Sequence, residues 1–459
     1  MLTAARLGAT TLAGLLLAGV SAAPALADAT APSPSPVAVP AGLYGKGDPT
    51  YDGVWRQSLA LTALAGAKVV PADSAVGWLT GQQCADGGWP SFRAATATAC
   101  DAKTEDSNAT AVAIQALTAL GGHQDAVAKG VQWIKANQNA DGSWSYNPGT
   151  PGDGNSTGLT VSALLAAGTD PAGVSKAGRS GYDGLAAFQL GCASAADQRG
   201  AFAYQPGAGG ALAANALASV QATLGAAGGK LPVTNTNRVD AAPKPLTCAA
   251  GSTSTGVPRA ESAEAASAYL VGQLNANGQH LMLTTPGATP TPDFAGTAWA
   301  VLSLIQAGHP HQAAGAADWL TGNGYNWAAK GKSGTDASAA AAMLLVAQAA
   351  QLDPYNFGGT NLVQLLTDAG PAPKSMPPAT AAAGPAPGSA TTGNSGFSPL
   401  WVIGVGLLVG IGGGLLISLN RKRGTQAGKP AKAATTKAAE PEPTPESKPE
   451  SKPEGDDQK

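Results

Sequence analysis

Four aspartates recur at matched places in this 459-residue chain, each just ahead of an alanine- and leucine-rich run. Asp106-Ser-Asn-Ala-Thr110 aligns with Asp153-Gly-Asn-Ser-Thr157. Asp293-Phe-Ala-Gly-Thr297 keeps the Asp and the Thr, and Asp336 falls at the same place in a further copy. Glu105, Asn108 and Asn155 add a carboxylate and two amides beside them. If the runs are helices, these groups sit at N-termini, where each can accept backbone N–H bonds worth about 1 kcal/mol. Gathered at one rim, the same groups would offer acceptors and negative charge to a polar ligand. Glu105, Asp106, Asn108, Asp153, Asn155, Asp293 and Asp336 are therefore the candidate ligand-binding residues, with helix capping as the ordinary alternative for each. No residue is assigned a catalytic role. His123 and His309 each follow a glycine and precede a repeat tryptophan by ten positions, so both read as turn residues. There is no Cys-x-x-Cys spacing, and neither a metal nor a cofactor is expected.

The elements that position these groups come in copies. Trp78-Leu-Thr-Gly-Gln-Gln-Cys-Ala-Asp-Gly-Gly-Trp89 is repeated 55 positions later as Trp133-Ile-Lys-Ala-Asn-Gln-Asn-Ala-Asp-Gly-Ser-Trp144. Gln83 matches Gln138 and Gly87 matches Gly142. Such a period is that of stacked helical units. Apolar periodicity and Gly or Pro stops predict twelve helices in two alternating sets. One set begins near Asp52, Asp106, Asp153, Gly210, Asp293 and Asp336; the other begins near Pro71, Gln124, Arg179, Glu261, Pro310 and Gly358. The first set has scarcely a charge, as expected of helices covered on most faces. The second is more polar and suits an outer layer.

The Gln83-x-x-x-Gly87-x-Trp89 and Gln138-x-x-x-Gly142-x-Trp144 segments resemble the QW repeat of squalene–hopene cyclases and the related protein prenyltransferase subunits. That resemblance implies an all-α (α/α)6 toroid, six inner and six outer helices, over residues 51–370. It also implies that Trp78, Trp89, Trp133 and Trp144, with the paired Gln and Gly residues, staple outer helices to the turns that lead inward. Copies near Gln189, Gln273 and Trp319…Trp327 are degenerate. The Asp-x-Asp-Asp acid of the cyclases is not found; its nearest counterpart, Thr104-Glu105-Asp106-Ser107, lacks the preceding acid. The zinc-ligand set of the prenyltransferases is missing too.

The ends of the chain carry other signals. Residues 1–27 read as a signal peptide ending in Ala25-Leu26-Ala27, and 28–50 as a flexible leader. An insertion is expected at 226–260 and a Pro/Ala/Gly-rich linker at 371–398. Residues 400–419 carry no charge and are followed by Arg421-Lys422-Arg423, the pattern of one transmembrane helix with the N-terminal bulk outside. The tail, 420–459, has the composition of a disordered cytoplasmic segment. Cys84, Cys100, Cys192 and Cys248 favour two disulfides in an exported domain. Pairing Cys84 with Cys100 and Cys192 with Cys248 would close one irregular excursion each. A net charge of −2 leaves no basic field for nucleic acid.

Together these readings predict a single-pass, surface-anchored binding module for a small-molecule or glycan ligand, without catalysis. The same helical barrel in extracellular cobalamin carriers suggests nutrient capture, with a membrane importer as partner. The alternative is an exported toroid enzyme, either terpene cyclase-like or polysaccharide-active.

Overall fold

The uncharged runs form helices that neighbours can cover on nearly every side. The computed structural model describes residues 38–239, 241–284 and 287–378. The expected signal peptide, transmembrane span and tail lie outside the described residues.

In chain order the helices begin with α1 (Gly53–Gly66), α2 (Asp73–Gly81), α3 (Ser107–Leu120) and α4 (Gln124–Ala136). Next come α5 (Gly154–Ala166), α6 (Gly181–Ala186), α7 (Ala216–Ala226) and α8 (Arg259–Ala276). The last five are α9 (Phe294–Gln306), α10 (Pro310–Asn323), α11 (Tyr325–Ala329), α12 (Ala337–Ala350) and α13 (Leu362–Thr367). Helices α1, α3, α5, α7, α9 and α12 each pack on the next, and α12 returns to α1, which closes a ring. Around it, α2, α4, α6, α8, α10 and α13 each pack on the inner helix that precedes them. This is the expected toroid, with the short α11 added in the last turn.

Composition explains the layering. In α9 every residue from Gly296 to Ile305 is buried, whereas α4 buries only Gly130, Val131, Trp133 and Ile134. Small residues let inner helices touch backbone to backbone. A Cβ added at Gly158 of α5 would stand 2.6 Å from the Ala222 Cα of α7. Some hydroxyls in this layer are taken up by carbonyls, as where Ser303 Oγ donates to Val220 O at 2.6 Å, while others, such as those of Ser58, Thr160 and Ser162, are buried without a partner.

Several boundaries differ from expectation. The fourth inner helix starts at Ala216 rather than near Gly210, because Gly209 and Gly210 take φ of 73° and 81° and turn the chain before Asn215 caps it. Outer helices α6 and α13 are six residues each and begin at Gly181 and Leu362, a little after the expected starts near Arg179 and Gly358. Two small antiparallel hairpins also appear, β1 (Ser175–Lys176) with β2 (Arg179–Ser180) and β3 (Leu281–Leu283) with β4 (Thr291–Asp293).

The described part of the leader is not loose. The Tyr44 side chain is buried, its N–H donates to Gln57 Oε1 at 2.8 Å, and Gly45 N–H donates to Ala369 O at 2.8 Å. At the other end Lys374 N–H donates to Val70 O at 2.8 Å, so residues expected in the linker are stitched to the start of the ring. The insertion is likewise pinned rather than fully exposed. Leu231 N–H donates to Gln115 Oε1 of α3 at 2.8 Å, and Asn235 Nδ2 to Gln306 O of α9 at 2.5 Å. Helices α3 and α9 face each other across the ring, so this segment crosses the mouth where inner helices end.

Candidate functional site

The repeated acids do cap the inner helices. Asp106 Oδ1 accepts from the backbone of Asn108 at 2.7 Å and Ala109 at 3.0 Å. Asp153 accepts from Ser156 N at 2.6 Å, Asp293 from Gly296 N at 2.7 Å and Asp336 from Ala339 N at 3.0 Å. Asn215 does the same on α7, at 2.9 Å from Ala218 N. The first inner helix departs from the rule: Asp52 makes no capping bond and instead pairs with Arg56 at 3.1 Å.

A recess of about 240 Å³ opens among these helix starts. Asp52 and Trp55 of the first inner helix reach it, as do Asp106, Asn108 and Ala109 of the second, Asn155 of the third, and Leu217 and Gln221 of the fourth. Tyr51, Ser91 and Tyr146 complete its wall. Three of the sequence-derived candidates, Asp106, Asn108 and Asn155, therefore share one cavity. Asp153, Asp293 and Asp336 cap their helices without lining it, and Asp153 is wholly buried.

Glu105 goes elsewhere, which corrects its assignment to the mouth. It is buried, its Oε2 accepts from Trp133 Nε1, and it lies against the Cys84–Cys100 disulfide. Burial, reinforced by Asp86, pushes its carboxyl up to about 7. Its immediate sulfur neighbours are bonded to each other, so they present no thiolates to a metal.

Sequence reasoning missed Tyr51, Asp52, Trp55, Ser91, Tyr146, Leu217 and Gln221. A signal for two of them existed. Ser91 and Tyr146 stand two residues after the repeat tryptophans Trp89 and Trp144, and both reach the recess.

The electrostatics of the recess are one-sided. Burial pushes Asp52 up to about 6; Arg56 pulls it down, while Asp336 and Asp48 add to the rise. Its side chain, which lines the recess, still keeps 43% of its surface open. Burial also raises Asp106, against the hydrogen bonds that favour its charge. Ser91 Oγ donates to Asp106 Oδ2 at 2.9 Å and lies 3.4 Å from the Tyr146 hydroxyl. The negative charge of Asp106, then burial, hold the Tyr146 phenol above its usual range. Two acceptors in the wall have no partner, Asn108 Oδ1 and Gln221 Oε1.

The repeat tryptophans hold this arrangement without touching the recess. Trp89 Nε1 donates to Leu79 O at 2.9 Å and Trp144 Nε1 to Ile134 O at 2.8 Å. Gln83 Nε2 donates to Gly87 O and to Ala126 O on the next outer helix, and Gln138 Nε2 to Gly142 O and Val174 O. Trp89 N–H reaches Thr110 Oγ1 at 2.9 Å, and Trp144 N–H reaches Thr157 Oγ1 at 3.0 Å. These bonds deliver each turn to the inner helix that follows. The cysteines pair as expected, Cys84 with Cys100 and Cys192 with Cys248.

One family model matches part of the chain. Residues 43–159 match the family model of the squalene-hopene cyclase C-terminal domain. Set on the ring of helices above, that match shows a squalene–hopene cyclase-like toroid. No curated protein matches. Among solved structures, a protein from Actinoplanes is 15% identical with a TM-score of 0.41, covering 69% of this chain and 95% of its own. The ent-copalyl diphosphate synthase from Streptomyces platensis is 18% identical with a TM-score of 0.41, covering 65% of this chain. The chain spans 50% of that synthase.

Proposed function

We propose that this toroid is a binding module that holds a small polar ligand in the recess at the inner-helix starts and performs no chemistry on it. The observation that carries this reading is the recess itself, where aromatic faces from Tyr51, Trp55 and Tyr146 meet polar groups from four inner helices. Rings supply stacking area while amides and carboxylates fix orientation, the usual division of labour in a small-molecule site. Of the two acids in the wall, Asp106 already accepts three hydrogen bonds on its two oxygens, and Asp52 is held in an ion pair by Arg56 at 3.1 Å. A general acid needs a free proton-bearing oxygen.

Size narrows the ligand. A recess of about 240 Å³ falls below the roughly 300–1,000 Å³ of sites that enclose drug-sized molecules. A small metabolite or a single glycan unit suits it; a macrocycle such as cobalamin would lie over it. The module is held outside the cell by residues 400–419 and passes its ligand to a membrane importer. Support for this placement comes from the uncharged span, its Arg421-Lys422-Arg423 flank and the two disulfides.

An exported toroid enzyme is the second reading, favoured by the match to a cyclase domain. One experiment separates the two. The full-length chain is incubated with a metabolite extract, washed, and its retained compounds are identified by mass spectrometry. Turnover of isoprenoid diphosphates and of polysaccharides is assayed in parallel. Retention of a small polar compound, lost in Trp55→Ala and Asn155→Ala variants that still melt cooperatively, is the expected result. Turnover of either substrate class without retention overturns the binding reading.

A further inference from the structure

The ionisable side chains of the recess wall are all acidic or phenolic. Two carboxylates line it, Asp52 and Asp106, and no lysine, arginine or histidine does. The nearest cation, Arg56, is committed to Asp52 at 3.1 Å and Gly47 O at 2.7 Å. The hydroxyl of Ser91 donates to Asp106, and Asn108 Nδ2 gives one of its two hydrogens to Asn155 Oδ1 at 3.2 Å.

An independent observation lies deeper in the wall. Gln221 is only 3% exposed, lines the recess, and its Oε1 has no hydrogen-bond partner. Asn108, in the same lining, has a buried and unpartnered Oδ1 as well. An unsatisfied buried carbonyl is costly, and two in the wall of one cavity are groups that a ligand carrying donors would satisfy. Trp55 and Tyr146 contribute ring faces, whose negative quadrupole attracts cations. Carboxylates, unpaired amide oxygens and aromatic faces all ask for the same thing: positive charge carried on N–H groups.

We infer that the ligand of the recess is a small organic cation, a primary or secondary ammonium compound, whose N–H groups bond the amide oxygens of Asn108 and Gln221 while Asp52 balances its charge. This rests on the reading of the recess as a binding site and adds the class of ligand. The two carboxylates disfavour an anion. A quaternary ammonium would satisfy the rings and leave both amide oxygens unpaired.

The test uses calorimetric titration of the full-length chain with matched sets: glucosamine against glucose and N-acetylglucosamine, and 1,4-diaminobutane against 1,4-butanediol. The amine of at least one set is expected to bind at least tenfold more tightly than its neutral counterparts. Asp52→Asn should reduce that preference by about tenfold. Gln221→Glu, close in shape and adding a charged acceptor, should maintain or tighten amine binding. If the neutral members bind as well as the amines, or Asp52→Asn leaves the preference intact, the cation inference is overturned while the recess stands as a binding site. If no member of either set binds and the retained compound found in metabolite extract is neutral or anionic, the inference is likewise overturned. Absence of binding here together with no retention from extract overturns both.

Discussion

The buried carboxylates of this chain carry a signature that can be read in its stability. Asp153 is fully buried and burial holds it at about 6, above its ordinary 3.8. Asp106 and Asp293 are raised in the same direction by burial, and Glu105 to about 7. A raised carboxyl binds its proton more tightly folded than unfolded, so its folded state is favoured at low pH and loses ground as pH climbs through the shifted range. The melting temperature should therefore rise as pH is lowered from 8 to 5. Asp153→Asn keeps a capping oxygen and removes one of these titrations, so its melting curve should depend less on pH. A wild-type melting temperature flat or falling over that interval would contradict this account. At this scale the sequence was half legible: Asp106, Asn108 and Asn155 announced themselves by repetition. Gln221 did not, because nothing in Ala216–Ala226 distinguishes a glutamine facing a cavity from one facing a neighbour.

Between elements, small residues set how closely the inner helices meet. Gly158 faces Ala222 with no room for a Cβ, while Gly77 on the outer α2 has nothing within 4 Å of that position. Gly158→Ala should lower stability by about 1–3 kcal/mol through overpacking. Gly77→Ala should be neutral or stabilising by up to about 1 kcal/mol, as for an exposed helical glycine. Urea midpoints of the two variants check the contrast, and equal effects would mean that the α5–α7 contact yields easily. The repeat copies illustrate why some elements were harder to read. Gln189 looked degenerate, yet its Nε2 donates to Gly200 O and Ser262 O as Gln138 does to its own partners. The staple is intact; the separation of Gln and Gly grew from 4 to 11 positions and took in Cys192. In its aromatic place stands Phe202, whose N–H reaches Ser219 Oγ at 2.9 Å. In the last copy Ala328 O receives Asp336 N–H at 2.9 Å, the role Trp89 O plays for Asp106 N–H, so Trp327 is a neighbour of the repeat position and not its occupant.

As a whole molecule, the first and last described parts of the ring meet. Residues 42–45 meet Ala369, and Lys374 meets both Val70 and Asp73. If residues 400–419 span the membrane, a tether runs from this corner of the toroid to the lipid. Protease added to intact cells should cut within 379–398 and release a folded fragment retaining both disulfides, detected by gel shift with and without reductant. A chain that stays uncut on intact cells yet is cut in permeabilised ones would contradict external placement. The toroid was readable from the sequence because six plus six alternating helices have few other ways to bury an uncharged layer. The fastening of residues 38–50 was not readable, since Pro, Ala and Gly there give no periodic signal, and only the partner carbonyls and Gln57 reveal it.

The contact between α12 and α1 has a further consequence for how the molecule comes into being. Gln348 Nε2 donates to Ala63 O across 285 positions of sequence. A chain delivered from its N-terminus, across a membrane or from a ribosome, builds the ring as a growing arc. Until the last inner helix arrives, α1 and the newest helix each expose an uncovered apolar flank, and those flanks can pair with another unfinished arc. Closure over so long a separation is slow because loop entropy opposes it until the contact forms. The stitched ends at residues 42–45 and 369–375 act as the clasp of a bracelet. They join only when the circle is complete, and thereafter keep its seam from parting.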